Sequence, residues 1–167
     1  MATSFPDWRE FIACLTRQQV RFIVVGAHAL AALGRPRYTG DLDVFVEPTS
    51  ENAERLDSAL RDFGFAGAAE VAGQLAEPGK MMTLGKEPVR IDITTEMSDL
   101  TFGEAWRGKF RRRIGEHLVA FLGRREYIKN KRASAKTPGR RAGDEHDIAL
   151  LEEMHGRYRR RPPARSG

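Results

Sequence analysis

RFIVVGAHALAALGRPRYTGDLDVFVEPT, residues 21 to 49, is the stretch on which the fold turns. Arg21 to Val25 is a short apolar run rich in β-branched residues, and it ends at Gly26, as a strand does where it enters a turn. Ala27 to Leu33 then reads as helix, with Gly34 as its stop. A loop of Arg35, Pro36, Arg37, Tyr38 and Thr39 leads through Gly40 into a second strand, Asp41-Leu42-Asp43-Val44-Phe45-Val46. Side chains alternate along a strand, so Asp41 and Asp43 share one side of the sheet while Leu42, Val44 and Val46 pack on the other. Two carboxylates projecting together repel, and burying them unpaired is costly. A hard divalent cation resolves both problems, because such ions prefer carboxylate oxygens.

A hairpin further along supplies a third acid. Lys80 to Leu84 and Val89 to Thr94 read as strands around a Gly85-Lys86-Glu87-Pro88 turn. Val89, Ile91 and Ile93 share the apolar side of the second strand, which leaves Asp92 on the polar side. Alone, an acid on the solvent side of an edge strand is only a solubilising residue. With Asp41 and Asp43 upstream the reading reverses, since three acids inside strands, each flanked by aliphatics, make poor surface decoration.

The order of these parts resembles the nucleotidyltransferase superfamily that includes DNA polymerase beta. Its signature is a glycine-bearing strand-to-helix turn, a short helix, and a strand with Asp-x-Asp, often preceded by Thr; here these are Gly26, Thr39, Asp41 and Asp43. Spacing and size are similar to the minimal members, including the AbiEii-like toxins of bacterial toxin–antitoxin pairs. Many members carry Gly-Gly or Gly-Ser at the turn, and this chain has Gly26-Ala27. Ala27 has no hydroxyl, so a phosphate contact there falls to backbone N–H groups. Minimal members also carry a helix with a Lys, then an Arg, then Asp-x-x-Asp and an apolar helix; Lys131, Arg141, Asp144 and Asp147 match that order.

The remaining elements are coarser. Trp8, Phe11, Ile12 and Leu15 make one stripe of a first helix over residues 6 to 18. Thr49 or Ser50 caps a helix over Glu51 to Phe63, with Gly64 as its stop. Residues 65 to 79 are rich in Ala and Gly and give no clear period. Phe102 to Trp106 reads as a short helix, Arg112 to Ile114 and Leu118 to Leu122 as strands, and Gly123 to Lys131 as helix. A final helix starts near Asp144. The expected architecture is α/β (α+β): a mixed central sheet with helices packed on it and a C-terminal helical part. Residues 1 to 156 make a single domain and 157 to 167 a basic tail.

Composition excludes several classes. The lone cysteine, Cys14, rules out an internal disulfide and points to a reducing cytoplasm, with the thiol as a small buried hydrophobe. No run is long enough for a membrane span and the N-terminus has no signal-peptide pattern, so a soluble cytoplasmic protein is expected. The net charge of +5 is unevenly spread. Residues 157 to 167 hold five arginines and no acid, so the body is formally neutral. Within the body, residues 107 to 141 carry 13 basic against 2 acidic groups. Such a block suits a triphosphate or a nucleic acid, and a solvated basic face is its bland reading.

The resemblance implies transfer of a nucleoside monophosphate from an NTP to an acceptor hydroxyl on a protein, a tRNA or a small molecule. Asp41, Asp43 and Asp92 would be the catalytic and metal-holding acids, with Mg²⁺ (or Mn²⁺) as cofactor in a two-ion arrangement. Gly26, Ala27, Thr39, Arg35, Arg37 and Lys131 would hold the nucleotide. An antitoxin protein is the implied partner if the chain is of the toxin type. Two other readings stand beside this one: a catalytically inactive partner or antitoxin that keeps the fold, and a basic nucleic-acid-binding module. His28, one turn into the first short helix, reads as packing or solvent-facing, and Asp144 as a helix cap rather than part of a metal cluster.

Overall fold

The computed structural model describes residues 8–35, 39–65, 67–86, 89–137 and 145–153. Its elements are α1 (Trp8–Arg17), β1 (Phe22–Val25), α2 (Gly26–Ala32), β2 (Asp41–Val46), α3 (Ser50–Asp62), α4 (Ala68–Gln74), β3 (Met81–Lys86) and β4 (Val89–Thr94). They continue with α5 (Phe102–Gly108), β5 (Phe110–Ile114), β6 (His117–Phe121) and α6 (Arg124–Ser134). Residues 145 to 153 are helical and are called α7.

Six strands form one mixed sheet in the order β3-β4-β2-β1-β6-β5. β1 and β2 run antiparallel, β2 and β4 parallel, and β3 and β4 antiparallel as a hairpin. All four residues of β1 are buried, which is why that strand reads as an unbroken apolar run. β2 and β4 alternate in residue character instead. Leu42, Val44, Ile91 and Ile93 are buried in the same apolar cluster as Phe11 of α1 and Leu56 and Leu60 of α3. Phe11 of α1 meets Phe63, just beyond α3, edge to face at 5.2 Å between ring centres. Two helix caps match their sequence signals. Thr49 accepts from the backbone N–H of Asn52 at the start of α3, and Thr101 with Glu104 forms a reciprocal capping box on α5.

Asn52 locks the entrance to β1 and the exit from β2. Its Oδ1 accepts the Arg21 N–H at 2.7 Å, and its Nδ2 donates to the carbonyls of Arg21 and Glu47, both at 3.0 Å. The side chain is almost fully buried and satisfied by backbone alone, so it fixes where the two strands part.

Four expectations shift. The uncertain stretch contains α4, whose buried contacts are Ala68 and Ala72, residues too small to print a hydrophobic period. β5 begins at Phe110 because Phe110 stacks on Phe121 at 5.7 Å. α6 runs three residues past Lys131, which puts that lysine inside the helix. β4 is not an edge strand: it lies between β3 and β2, and Asp92 is only 6 % exposed. No described helix is long and apolar enough to cross a membrane. The tail from residue 157, Arg37, Arg141 and Asp144 lie outside the described residues.

Candidate active site

Register places the acids. In the parallel pair of β2 and β4, Asp41 lies opposite Arg90 and Asp43 opposite Asp92. In the β3–β4 hairpin, Thr83 lies opposite Asp92. Residues opposite one another project to the same side, so Asp41, Asp43, Arg90, Asp92 and Thr83 all face one patch. Further along the same face, Phe45 meets Phe102 of α5 at 5.2 Å, so α5 covers the face where it turns apolar and stops short of the acids.

The turn after β1 completes the patch. Val25 is in register with Asp43, and the next residue, Gly26, adopts φ +64°. A Cβ on Gly26 would overlap Asp43 Oδ2 and sit 3.0 Å from its Cγ. Glycine is therefore required twice, for the left-handed backbone and for the close approach of the carboxylate. Ala27 is buried directly behind it.

The three carboxylates are in different electrostatic states. Burial, with the charges of Asp92 and Asp41 adding to it, raises the Asp43 carboxyl from 3.8 to about 6, against the opposing pull of Lys131 and Arg90. Asp41 Oδ1 is buried and has no hydrogen-bond partner among the described residues. Asp92 is fully engaged: Arg90 donates from Nε to Oδ1 at 3.1 Å and from Nη2 to Oδ2 at 2.7 Å, and the Thr83 hydroxyl donates to Oδ1 at 2.7 Å.

Lys131 reaches the patch from α6, close enough to Asp43 to act on its charge. Its Nζ lies 4.0 Å from Asp147 on α7, a carboxylate 1 % exposed that also accepts the Tyr127 hydroxyl at 3.3 Å. Tyr127 and Lys131 are one turn apart on α6, so both meet Asp147. Lys129 on the same helix ties α6 to α5 through Glu104 at 3.1 Å.

The other sequence candidates do different things. Thr39 folds back on Asp41, with its hydroxyl accepting the Asp41 N–H at 3.2 Å and donating to the Asp41 carbonyl at 3.1 Å, which sets the start of β2. Arg35 points to Glu153 of α7 at 3.5 Å. His28 stacks on Trp8 with 4.7 Å between ring centres, and burial lowers its pKa, as expected of a packing residue. Cys14 is buried and burial raises its thiol, which removes it from nucleophilic chemistry. Arg90, Thr83 and Tyr127 were not singled out from the sequence. The signal for Arg90 was present, since it stands two residues before Asp92 on one strand and must share its side.

Among the described residues no three His, Cys, Asp or Glu side chains converge closely enough to hold a metal ion. The donor chemistry is nonetheless selective. Asp41 presents an unsatisfied buried oxygen and Asp43 a carboxylate crowded by like charge, and a hard divalent cation would satisfy both. Asp92 differs, because both of its oxygens are already taken up by protein donors.

A search of solved structures places this arrangement among known folds. The chain matches the solution structure of the antibiotic-resistance factor ANT(2'')-Ia, with TM-score 0.52, over 91 % of each chain at 15 % sequence identity. The fold is that of a nucleotidyltransferase. No protein-family model and no curated protein sequence matches the chain. The neighbour supports the nucleotidyltransferase fold and lends nothing to the AbiEii-like toxin subdivision.

Proposed function

We propose that the protein transfers a nucleoside monophosphate from an NTP to an acceptor hydroxyl. The observation that carries this reading is the register of Asp41, Asp43 and Asp92 on two parallel strands, beside a glycine packed against the Asp43 carboxylate. In this reading Asp41 and Asp43 hold Mg²⁺ or Mn²⁺, which when bound neutralises the triphosphate and the departing oxygen. Gly26 lets the turn after β1 lie close against Asp43, where the phosphates would bind its backbone, and Lys131 supplies a cation to them. Asp147 holds that lysine in place from α7, which gives a buried acid on that helix a task.

The chemistry balances on this chain's own groups. The acceptor oxygen bonds to the α-phosphorus, and the bond from that phosphorus to its bridging oxygen breaks. The electron pair leaves with pyrophosphate. Asp92, facing the same space as Asp41 and Asp43, takes the proton of the acceptor hydroxyl. The toxin role, with an antitoxin partner and a tRNA or protein acceptor, remains part of the proposal on the strength of the sequence resemblance alone.

Asp92→Asn separates binding from chemistry. The variant should bind NTP within a few-fold of wild type, because Asp41 and Asp43 are intact, and should lose roughly two or more orders of magnitude in transfer. The check is transfer of label from α-labelled NTP beside an affinity titration of the same protein. Transfer at the wild-type rate would make Asp92 a structural partner of Arg90 and nothing more.

A further inference from the structure

Arg90 is the residue of the patch to which the reading above assigns no task. It is placed by register opposite Asp41 and by strand alternation beside Asp92, so its short reach to Asp92 follows from backbone geometry. Its guanidinium grips both Asp92 oxygens in a two-pronged contact, and Thr83 takes a further lone pair of Oδ1. A carboxylate offers about four lone-pair sites, of which three are filled here by protein donors. The Asp92 side chain is 8 % exposed and the Arg90 side chain 39 %, so the carboxylate is enclosed while the guanidinium reaches solvent. A guanidinium does not give up its proton at any pH the protein survives.

We propose that the Arg90 guanidinium stands in place of a nucleophile-side cation at Asp92, so that the site takes a single divalent ion, held by Asp41 and Asp43. This rests on the reading of Asp41 and Asp43 as the metal and nucleotide site. A second dication on Asp92 would have to break the two-pronged contact and lie against a fixed positive charge. Arg90 thereby holds the Asp92 carboxylate aimed into the patch without a second metal. Arg90 is a positioning residue in this scheme, since it acts through Asp92.

The experiment counts bound Mn²⁺ by electron paramagnetic resonance in the presence of a non-hydrolysable α,β-methylene NTP analogue. Wild-type protein should hold one Mn²⁺ per chain, with the spectrum of an isolated ion. Arg90→Gln frees Asp92 and should hold two ions, close enough to give a spin-coupled spectrum. Arg90→Lys, which keeps the charge, should return to one. A coupled pair in the wild-type protein, or a single ion in both wild type and Arg90→Gln, overturns the proposal. If no Mn²⁺ binds beyond what the analogue binds alone, the metal reading of Asp41 and Asp43 fails and takes this one with it. Should Arg90→Gln fail to fold in a thermal melt, the wild-type spectrum alone still decides: a coupled pair refutes, an isolated ion supports.

Discussion

Asp43→Asn should melt at a higher temperature than the wild-type protein at pH 8 and at nearly the same temperature near pH 4. The Asp43 carboxyl is raised from 3.8 to about 6 by burial and by its acidic neighbours. Between those values the folded chain keeps a proton that the unfolded chain has released, so wild-type stability falls as pH rises through the window and stays lower above it. Asparagine carries no charge and escapes that loss. After allowance for water at a partly exposed group, the gain at pH 8 is about 2 kcal/mol. For a chain of this size that corresponds to a rise in Tm of roughly 4–8 °C. Magnesium with an NTP should reverse the order. Wild type gains by mass action, about 2.7 kcal/mol at a hundred times Kd, while the variant gains little. Transfer by the variant should fall by roughly three orders of magnitude, since one of the two groups that hold the ion is lost. Thermal melts at the two pH values, each with and without Mg²⁺ and NTP, read all of this. Equal melting of the two proteins throughout would remove Asp43 from the site.

Gly26→Ala carries the other large effect, and it acts in two ways. A left-handed backbone costs a residue with a Cβ about 1–2 kcal/mol. The added methyl also overlaps Asp43 Oδ2, and a carboxylate on a central strand can retreat only by rotating away from the patch. The sum should be about 3 kcal/mol, a drop in Tm of roughly 6–12 °C. Because the strain falls on Asp43, NTP-dependent stabilisation should vanish even below the new Tm. A double variant, Gly26→Ala with Asp43→Gly, removes the overlap and should recover part of the stability and none of the nucleotide binding. If Gly26→Ala alone kept wild-type stability and nucleotide response, the close packing of Gly26 on Asp43 would be without consequence.

The mixed sheet with helices packed on it was legible in the sequence, and so was the side of the sheet on which its acids lie. Asp41, Asp43 and Asp92 were legible because strand alternation is strict, so an acid between aliphatics declares its face. β4 pairs with β2 across a long stretch of chain, and the register of that pair sets Asp43 against Asp92. What stayed hidden depends on contacts between distant segments. α4 packs through Ala68 and Ala72, whose methyl-sized side chains carry no periodic signal. Taken alone, Asp92 reads as a solubilising acid on an edge strand, and only the neighbouring β2 on the far side of the hairpin accounts for its burial. Thr39 shows a subtler limit. A Thr two residues before the first acid was taken as a nucleotide contact, and the structure spends its hydroxyl on the Asp41 backbone. Lys131 was chosen for its order along the chain, and only the structure supplies the reason it is held, through Asp147 one helix away.

The central claim is nucleotidyl transfer, and it is tested most directly by following two labels in one reaction. The protein is incubated with Mg²⁺, host lysate and an NTP labelled either at the α- or at the γ-phosphorus. The α label should become bound to an acceptor while the γ label leaves as pyrophosphate, and both signals should depend on Asp43. A γ label on the acceptor, or no transfer of either label from any of the four NTPs, would contradict it.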